Sequence, residues 1–308
     1  MPNIKEKSLR DMDFEEVSIK YENLFAEVIG KELFKKINEE YRNKYQIFIR
    51  YKNDAYNSPS SMNRNESDYG RNVIYGWFVE DLIIKVLEKN SLIKSVHLFG
   101  KDKNHDFIYN HEIKKILIDG EKSTDPDIEM TLKNGNKFLL ELKTGNKDVF
   151  TVKEGNVNSL FKSVANYEQY CLIMMLDLAK GLYEIKDLTY FETQKSFSNK
   201  RMEGQICYNF PAPNTGIETL TKINFDSFAN MLVLENIWVK KFKLLKIAIE
   251  KGNKIWKKII ENKIKLEKLE EEMNINIDDF KYKIKKIKVK IPEVEMSWEK
   301  IENEVKKI

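Results

Sequence analysis

The sequence predicts an α/β protein in which amphipathic helices alternate with short apolar strands. Residues 14–51 carry apolar side chains at three- and four-residue spacing, which predicts one or two helices, and residues 71–90 repeat the pattern in a single strong helix. The segments "IKKILIDG" and "KFLLEL" are rich in Ile, Leu and Phe and predict strands. Another apolar strand, "CLIMMLDL", follows a helix that we expect to end near Tyr170.

The other elements are predicted from shorter signals. "SVHLFG" and "LTYFETQ" are strand candidates, and residues 52–70, rich in Asn and Ser, predict a loop. Residues 146–158 and 197–216 are also expected to be loops or irregular segments.

The C-terminal part is expected to be mainly helical from about residue 225, with a long lysine-rich helix. "KYKIKKIKVKI" within it fits either a strand with a bulge or an exposed basic helix. The chain thus divides into an N-terminal helical region with a polar loop (1–70), a central core (71–225) and a basic, mainly helical C-terminal region (226–308).

Composition limits the class of protein. The 308 residues are 42% hydrophobic and 33% charged, and no apolar run reaches the roughly 18 residues that span a bilayer. We expect no membrane association, and the N-terminus lacks the apolar core of a secretion signal. Two cysteines in apolar contexts favour a reduced, cytoplasmic protein. Three histidines without a Cys-x-x-Cys motif argue against a zinc site.

Charge is unevenly distributed along the chain. The net charge is +4, with +7 on residues 236–308 and therefore −3 on the remainder. A basic quarter on a mildly acidic body favours a polyanionic partner, although a solvated lysine-rich helix surface explains it equally well.

The stretch "STDPDIEMTLKNGNKFLLELKTG" combines a strand hairpin with charged residues at one end. Glu141 and Lys143 share a strand face, because side chains alternate between faces. A two-residue turn at Asn134-Gly135 would pair Asp127 with Leu142 and aim the acid at the opposite face. A three-residue turn "NGN" would pair Asp127 with Lys143, and a kink at Asp127 after Pro126 would have a similar effect. We expect one of these two corrections.

Paired carboxylates beside a lysine indicate a particular chemistry. Two close carboxylates repel each other, and such oxygen-only clusters suit Mg²⁺, which takes one or two carboxylates plus water and phosphate oxygens. A lysine next to them can hold an attacking water. Together these groups are the minimum needed to hydrolyse a phosphodiester. The alternative is an exposed strand face on which Glu129, Glu141 and Lys143 are ordinary cross-strand charges.

The hairpin resembles the PD-(D/E)xK nuclease superfamily. "PD" at 126–127, thirteen intervening residues and "ELK" at 141–143 match its motif, and the likeness covers roughly residues 71–195. The resemblance implies a restriction-endonuclease-like core with a central mixed β-sheet flanked by helices, to which this chain adds N-terminal helices and a helical C-terminal extension. It implies Mg²⁺ as cofactor, with Asp127, Glu141 and the backbone carbonyl of Leu142 as metal ligands and Lys143 positioning the water.

Two further polar residues are candidates for this site. Glu80 interrupts a predicted buried stripe formed by Val73, Trp77, Ile84 and Leu87. Many members of the superfamily supply a third acid from such a helix, so Glu80 is the candidate catalytic and metal-binding acid, unless it reaches solvent at the edge of the stripe. Whether Glu129 is an extra ligand is left open. Gln169 is a candidate for contacting metal-bound water or phosphate, with a plain surface role the alternative.

The resemblance is strongest to type II restriction endonucleases. It implies sequence-specific cleavage of double-stranded DNA that leaves 5′-phosphate ends, a homodimer, and a cognate DNA methyltransferase in the same host. The chain has no Walker A loop, which argues against a motor-coupled enzyme. The alternatives are a structure-selective nuclease, such as a junction resolvase or repair nuclease, and a non-catalytic nucleic-acid-binding protein.

DNA contacts are predicted only coarsely. The basic C-terminal region fits a clamp on the phosphate backbone. Candidate base-reading segments are the loops at 52–70, 146–158 and 197–216, with Arg64, Arg71 and Arg201 as individual candidates. Trp238 and Trp256 are expected to make core or dimer contacts.

Overall fold

A computed structural model describes most of the first three quarters of the chain. The described residues are 12–50, 66–100, 105–110, 115–118, 125–145, 150–199, 204–231, 239–240 and 243. The chain divides into two compact units, Met1–Val239 and Lys240–Ile308, and nearly all described residues belong to the first. The predicted long basic helix, the segment 281–291, Trp238 and Trp256 lie outside the described residues, and the three-part division of the chain remains a prediction.

Three helices form the N-terminal part of the first unit: α1 (Phe14–Ile29), α2 (Lys31–Arg50) and α3 (Glu66–Leu87). Helix α1 begins with a capping box, in which the Asp13 carboxylate accepts the Glu16 backbone N–H at 2.9 Å and Glu16 accepts from Asp13. The prediction of one or two helices in 14–51 is confirmed by α1 and α2, and the predicted helix at 71–90 is confirmed as far as Leu87. The predicted loop 52–70 is wrong for residues 66–70, which begin α3, and residues 52–65 are outside the described part.

Helix α3 is the centre of the main core. Ile74, Phe78 and Leu82 are fully buried, although the sequence pattern placed none of them in its stripe. The buried surface of α3 is wider than the predicted stripe, because α1, α2, the segment Ile93–Leu98 and the segment Ile217–Thr221 all pack against this helix. The Phe78 ring lies 4.9 Å from the Tyr41 ring and 5.1 Å from the Tyr21 ring, centroid to centroid.

A six-stranded mixed sheet packs against these helices. In spatial order its strands are β1 (Ile93–Leu98), β4 (Ile128–Leu132), β5 (Lys137–Gly145), β7 (Tyr170–Asp177), β8 (Leu182–Asp187) and β11 (Thr215–Gly216). Strands β5 and β7 are parallel and the other pairs are antiparallel. The helix α4 (Glu154–Tyr167) makes the crossover from β5 to β7, as parallel strands require. The predicted α/β class with a mixed sheet flanked by helices is therefore confirmed.

Smaller elements complete the described part. Strands β6 (Phe150–Lys153), β9 (Phe197–Asn199) and β10 (Gln205–Phe210) form a three-stranded sheet in the order β6-β10-β9, and β2 (Phe107–Asn110) pairs with β3 (Lys115–Ile118). Of the predicted loops, 146–158 is wrong from residue 150 onward, and 197–216 contains three short strands.

The predicted strand "LTYFETQ" is also wrong. Its residues form the short helix α5 (Thr189–Glu192), because the chain has just left β8, where "LYEIKD" pairs with β7 in its place. The strand signal in this region therefore belonged to the segment immediately before it.

Asn90 ties the end of α3 to a distant part of the chain. Its side-chain amide donates to the carbonyls of Leu220 and Ile223, both at 2.9 Å, and its carbonyl oxygen accepts from the Leu92 N–H at 2.9 Å. The Asn90 side chain is buried, and its bond to the Leu220 carbonyl is buried as well, whereas the other two bonds are partly buried.

Replacing Asn90 with Ala is expected to lower the free energy of unfolding by about 2–4 kcal/mol, because the buried Leu220 carbonyl and the partly buried Ile223 carbonyl both lose their donor. Urea unfolding measures the change, with Lys89→Ala at the exposed neighbouring position as the control. A loss below about 0.5 kcal/mol would show that water replaces the amide.

Candidate active site at the β4–β5 hairpin

The charged residues of the hairpin lie on one face of the main sheet. Leu140 and Leu142 belong to the core that the sheet shares with α1–α3, so the alternate residues Glu141 and Lys143 point to the opposite face. Cys171, opposite Leu139 in the neighbouring parallel strand, is buried on that second face. Along β5, Glu141 is the middle residue and Lys143 lies two residues from the carboxyl end. The carboxyl ends of strands are where α/β sheets commonly bind ligands.

The register of the hairpin differs from both registers considered for it. Ile128 pairs with Leu140 and Thr131 pairs with Lys137, and the Leu132 N–H donates to the Asn136 carbonyl at 2.8 Å. The turn consists of residues 133–135, with Gly135 at φ +96°, and not of "NG" or "NGN". Continuing this register places position 127 opposite Glu141. Asp127 then belongs to the sheet face of Glu141 and Lys143, which is the face that a three-residue turn or a kink was expected to give it.

The predicted kink at Asp127 is present. The Asp127 N–H donates to the Leu140 carbonyl at 3.1 Å, whereas its carbonyl accepts from the Phe99 N–H at 2.8 Å. In a regular strand both groups of one residue point to the same neighbour, so the backbone turns at this residue. Asp127 consequently stands at a bend between β1 and β5, just after Pro126.

Asp127, Glu141 and Lys143 lie within one short segment of the sheet, and Asp127 is bonded to the backbone between the other two. The Asp127 Oδ2 atom accepts the Leu142 backbone N–H at 2.7 Å, and the Lys143 ammonium contacts the Glu141 Oε1 atom. Glu141 is only 8% exposed. Because the Leu142 N–H faces Asp127, the Leu142 carbonyl opens toward the same edge of β5.

The electrostatics of this group are those of crowded carboxylates. Burial, together with the charges of Glu141 and Glu80, raises the pKa of Asp127 well above its usual value, although Lys143 and the Leu142 N–H oppose the shift. For Lys143, burial acts to lower the pKa, but the carboxylates of Glu141 and Asp127 outweigh it and the net pKa is raised. Lys143 is therefore a firmly held ammonium group.

Glu80 lies near this group but is neither in the middle of a buried stripe nor unpaired. Its Oε2 atom lies 2.9 Å from the Nε2 atom of His105, and its side chain is 18% exposed. Its charge raises the pKa values of both Asp127 and Lys143, so it is within electrostatic range of each. Helix α3 thus places a third carboxylate within electrostatic range of the hairpin residues, while its direct contact is with His105.

Glu129 and Gln169 are engaged elsewhere. The two oxygens of Glu129 contact His97 Nε2 at 2.9 Å and Gln169 Nε2 at 2.6 Å. Gln169 precedes Tyr170, which pairs with Phe138, so it lies toward the opposite end of β5 from Lys143. This arrangement favours Glu80 over Glu129 as the additional acid.

The donor set of the hairpin fits Mg²⁺. Among the described residues, no group of three or more His, Cys, Asp and Glu side chains is placed to hold a metal by itself. Mg²⁺ needs only one or two carboxylates, because water and phosphate oxygens complete its octahedron. Asp127 and Glu141 supply these hard oxygen donors. Burial is the largest cause of the raised pKa of Asp127, and the charges of Glu141 and Glu80 add to it; a divalent cation would offset this repulsion between carboxylates.

The predicted DNA-reading residues are only partly described. Arg71 lies on α3 and not on a loop, whereas Arg64 and Arg201 are outside the described residues. In the described part of the chain, no helix has the length and hydropathy of a membrane span. Cys171 and Cys207 are both buried, and neither forms a disulfide.

His105 is the residue of this region that the sequence did not single out. It lies within a polar stretch, "KDKNHDF", and by sequence alone it counts only among three histidines, which are too few to indicate a zinc site. No local pattern marks it, since its partners come from α2 and α3.

No protein-family model matches the chain, and no curated protein is significantly similar to it in sequence.

Proposed function

We propose that the chain is a Mg²⁺-dependent endonuclease that hydrolyses phosphodiester bonds of double-stranded DNA and leaves 5′-phosphate ends. The proposal rests on one observation: at the bend, the Asp127 carboxylate accepts the Leu142 N–H, directly between Glu141 and Lys143, whose side chains contact each other. Under this proposal residues 71–225 form a restriction-endonuclease-like core.

Each residue of the group has a distinct role in the proposed reaction. Asp127 and Glu141 supply carboxylate oxygens to the metal ion, with Glu80 and the Leu142 carbonyl as further ligands. When bound, Mg²⁺ lowers the pKa of a water ligand and offsets the negative charge that develops on the phosphate. Lys143 is an ammonium group, so it orients the attacking water and stabilises negative charge, and it does not remove the proton.

The most specific form of the proposal is a type II restriction endonuclease. It would act as a homodimer in the cytoplasm and cut both strands of a short recognition site, with a cognate methyltransferase protecting the host DNA. The motif spacing and the extra helices α1 and α2 outside the hairpin region support this form over a smaller resolvase-like core.

Digestion of a sequenced plasmid tests the proposal. We expect discrete fragments with Mg²⁺ and none with EDTA, and sequencing of the fragment ends should show one recurring site with 5′-phosphates. Branched and linear DNA of the same sequence should be cut equally at that site.

Other outcomes would replace the proposal. Cleavage of branched substrates alone would indicate a structure-selective nuclease such as a junction resolvase. Salt-sensitive DNA binding without any cleavage, over a range of sequences and with Mn²⁺ as well as Mg²⁺, would indicate a nucleic-acid-binding protein whose acidic group is structural.

A further inference from the structure

His105 lies in a closed polar network between two helices and the active-site candidate. Its Nε2 atom lies 2.9 Å from Glu80 Oε2, and its Nδ1 atom lies 3.1 Å from the Tyr41 hydroxyl and 3.4 Å from Asp81 Oδ1. The Tyr41 hydroxyl also contacts the Asp81 carboxylate and donates to the Trp77 carbonyl at 3.1 Å. Both nitrogens of the imidazole therefore have partners.

The ring of His105 is held in place as well as bonded. It is 4% exposed and stacks on the Trp77 ring with a centroid distance of 5.2 Å and an interplanar angle of 15°. The residue adopts φ +49°, in the left-handed region that few residues other than glycine occupy. Such a conformation persists only where the surrounding contacts enforce it, and it is found preferentially at functional sites.

The network determines where the Glu80 carboxylate can lie. A glutamate side chain has three rotatable bonds and would otherwise sample several positions at the edge of the hairpin group. The hydrogen bond from His105 selects one of them, and Tyr41 and Asp81 in turn hold the imidazole. A residue that hydrogen-bonds to a metal ligand, without touching the metal, orients that ligand. Removing such a residue typically lowers the affinity for the metal by about 10–100-fold.

We propose that His105 is a positioning residue, which holds the Glu80 carboxylate in one orientation so that its negative charge contributes to metal binding at Asp127 and Glu141. This inference rests on the proposed function, because it makes Glu80 a contributor to the proposed metal site. It adds a residue from outside the hairpin and outside the motif. Tyr41 and Asp81 anchor the imidazole on its other side.

Two substitutions separate the hydrogen bond from the packing. His105→Phe keeps an aromatic ring to stack on Trp77 but removes both nitrogens. His105→Gln restores an amide donor that can reach Glu80. His97→Phe is the matched control, because it removes the other His–Glu contact, in which His97 is exposed and paired with Glu129.

Binding of Mn²⁺ to the DNA-free full chain, measured by the loss of the free-ion paramagnetic resonance signal at one fixed pH, gives a readout independent of cleavage. We expect His105→Phe to raise the dissociation constant about 10–100-fold. His105→Gln should stay within about threefold of the wild type, and His97→Phe should be unchanged. Thermal unfolding of each variant establishes that it is folded.

A double-mutant cycle then tests the route of the effect. If His105 acts through Glu80, His105→Phe should have no further effect on Mn²⁺ binding in a Glu80→Gln background. Equal losses in both backgrounds would overturn the proposal, as would wild-type binding by His105→Phe. If that variant does not fold, Tyr41→Phe, which removes the hydroxyl beside His105 Nδ1, takes its place in the same cycle. Weaker Mn²⁺ binding that disappears in the Glu80→Gln background supports the proposal, and wild-type binding overturns it.

Failure of this inference is distinct from failure of the proposed function. If the wild type binds no Mn²⁺ and cuts no DNA, the nuclease proposal itself fails. If the wild type binds Mn²⁺ and Asp127→Asn does not, while His105→Phe behaves as wild type, only the role of His105 is lost.

Discussion

Replacing Lys143 with Met is expected to slow DNA cleavage by about 10²–10⁴-fold while leaving DNA binding intact. Methionine keeps the length and apolar stem of the side chain but removes the ammonium group. That group is the cation in contact with Glu141, and the surrounding carboxylates hold it protonated. Its loss removes both the hydrogen bond that orients the attacking water and a positive charge close to the reacting phosphate.

Single-turnover cleavage at saturating Mg²⁺ and DNA measures this effect on the chemical step, and filter binding in Ca²⁺ measures DNA affinity. Lys137→Met is the matched control, because it removes one positive charge from an exposed position at the start of the same strand. Cleavage by Lys143→Met within about threefold of the wild-type rate would exclude Lys143 from the reaction.

Replacing Asp127 with Asn is expected to abolish cleavage and to stabilise the metal-free fold. A carboxyl group whose pKa is higher in the folded than in the unfolded chain costs stability when it is ionised at neutral pH. Burial and the charges of Glu141 and Glu80 place Asp127 in this situation. Asparagine can still accept the Leu142 N–H but carries no charge, so we expect a gain of about 1–2 kcal/mol.

The same substitution should remove stabilisation by metal. Mg²⁺ at 100 times its dissociation constant would raise the unfolding free energy of the wild type by about 2.7 kcal/mol, and that of Asp127→Asn by much less. Urea unfolding in EDTA and in Mg²⁺ measures both effects. Glu129→Gln is the control, because this acid of the same strand is already paired with His97 and Gln169. Equal stabilisation of wild type and Asp127→Asn by Mg²⁺ would place the metal elsewhere.

The opposite signs of these two effects would be informative in themselves. A substitution that stabilises the fold and abolishes activity indicates a residue kept for function at a cost in stability. If the role of Asp127 were only structural, its replacement would instead lower the free energy of unfolding of the protein.

The sequence predicted the helices well and the short strands poorly. Helices α1, α2 and α3 each repeat apolar residues over several turns, so the pattern survives the details of packing. Strands β6, β8 and β10 have four to six residues, with mixed polarity, and were missed. Their strand conformation depends on pairing with distant partners, which no short window of sequence contains.

The hairpin shows the same limit on a smaller scale. Both strands and a turn near Asn134 and Gly135 were predicted, but the register was not. Asp226, some 90 residues away, accepts the side-chain amides of Asn134 at 2.7 Å and Asn136 at 2.8 Å. This contact favours the turn that is observed, and it cannot be deduced from the residues of the turn alone.

By itself, the sequence determined the α/β class, helical structure in residues 14–51 and 71–90, and a hairpin with Glu141 and Lys143 on one strand face. These features follow from side-chain spacing within single segments. Only the tertiary structure decided that the backbone bends at Asp127 so that its carboxylate accepts the Leu142 N–H, and that His105 contacts Glu80. Those contacts join residues far apart in the chain, and the packing of helices against the sheet brings them together.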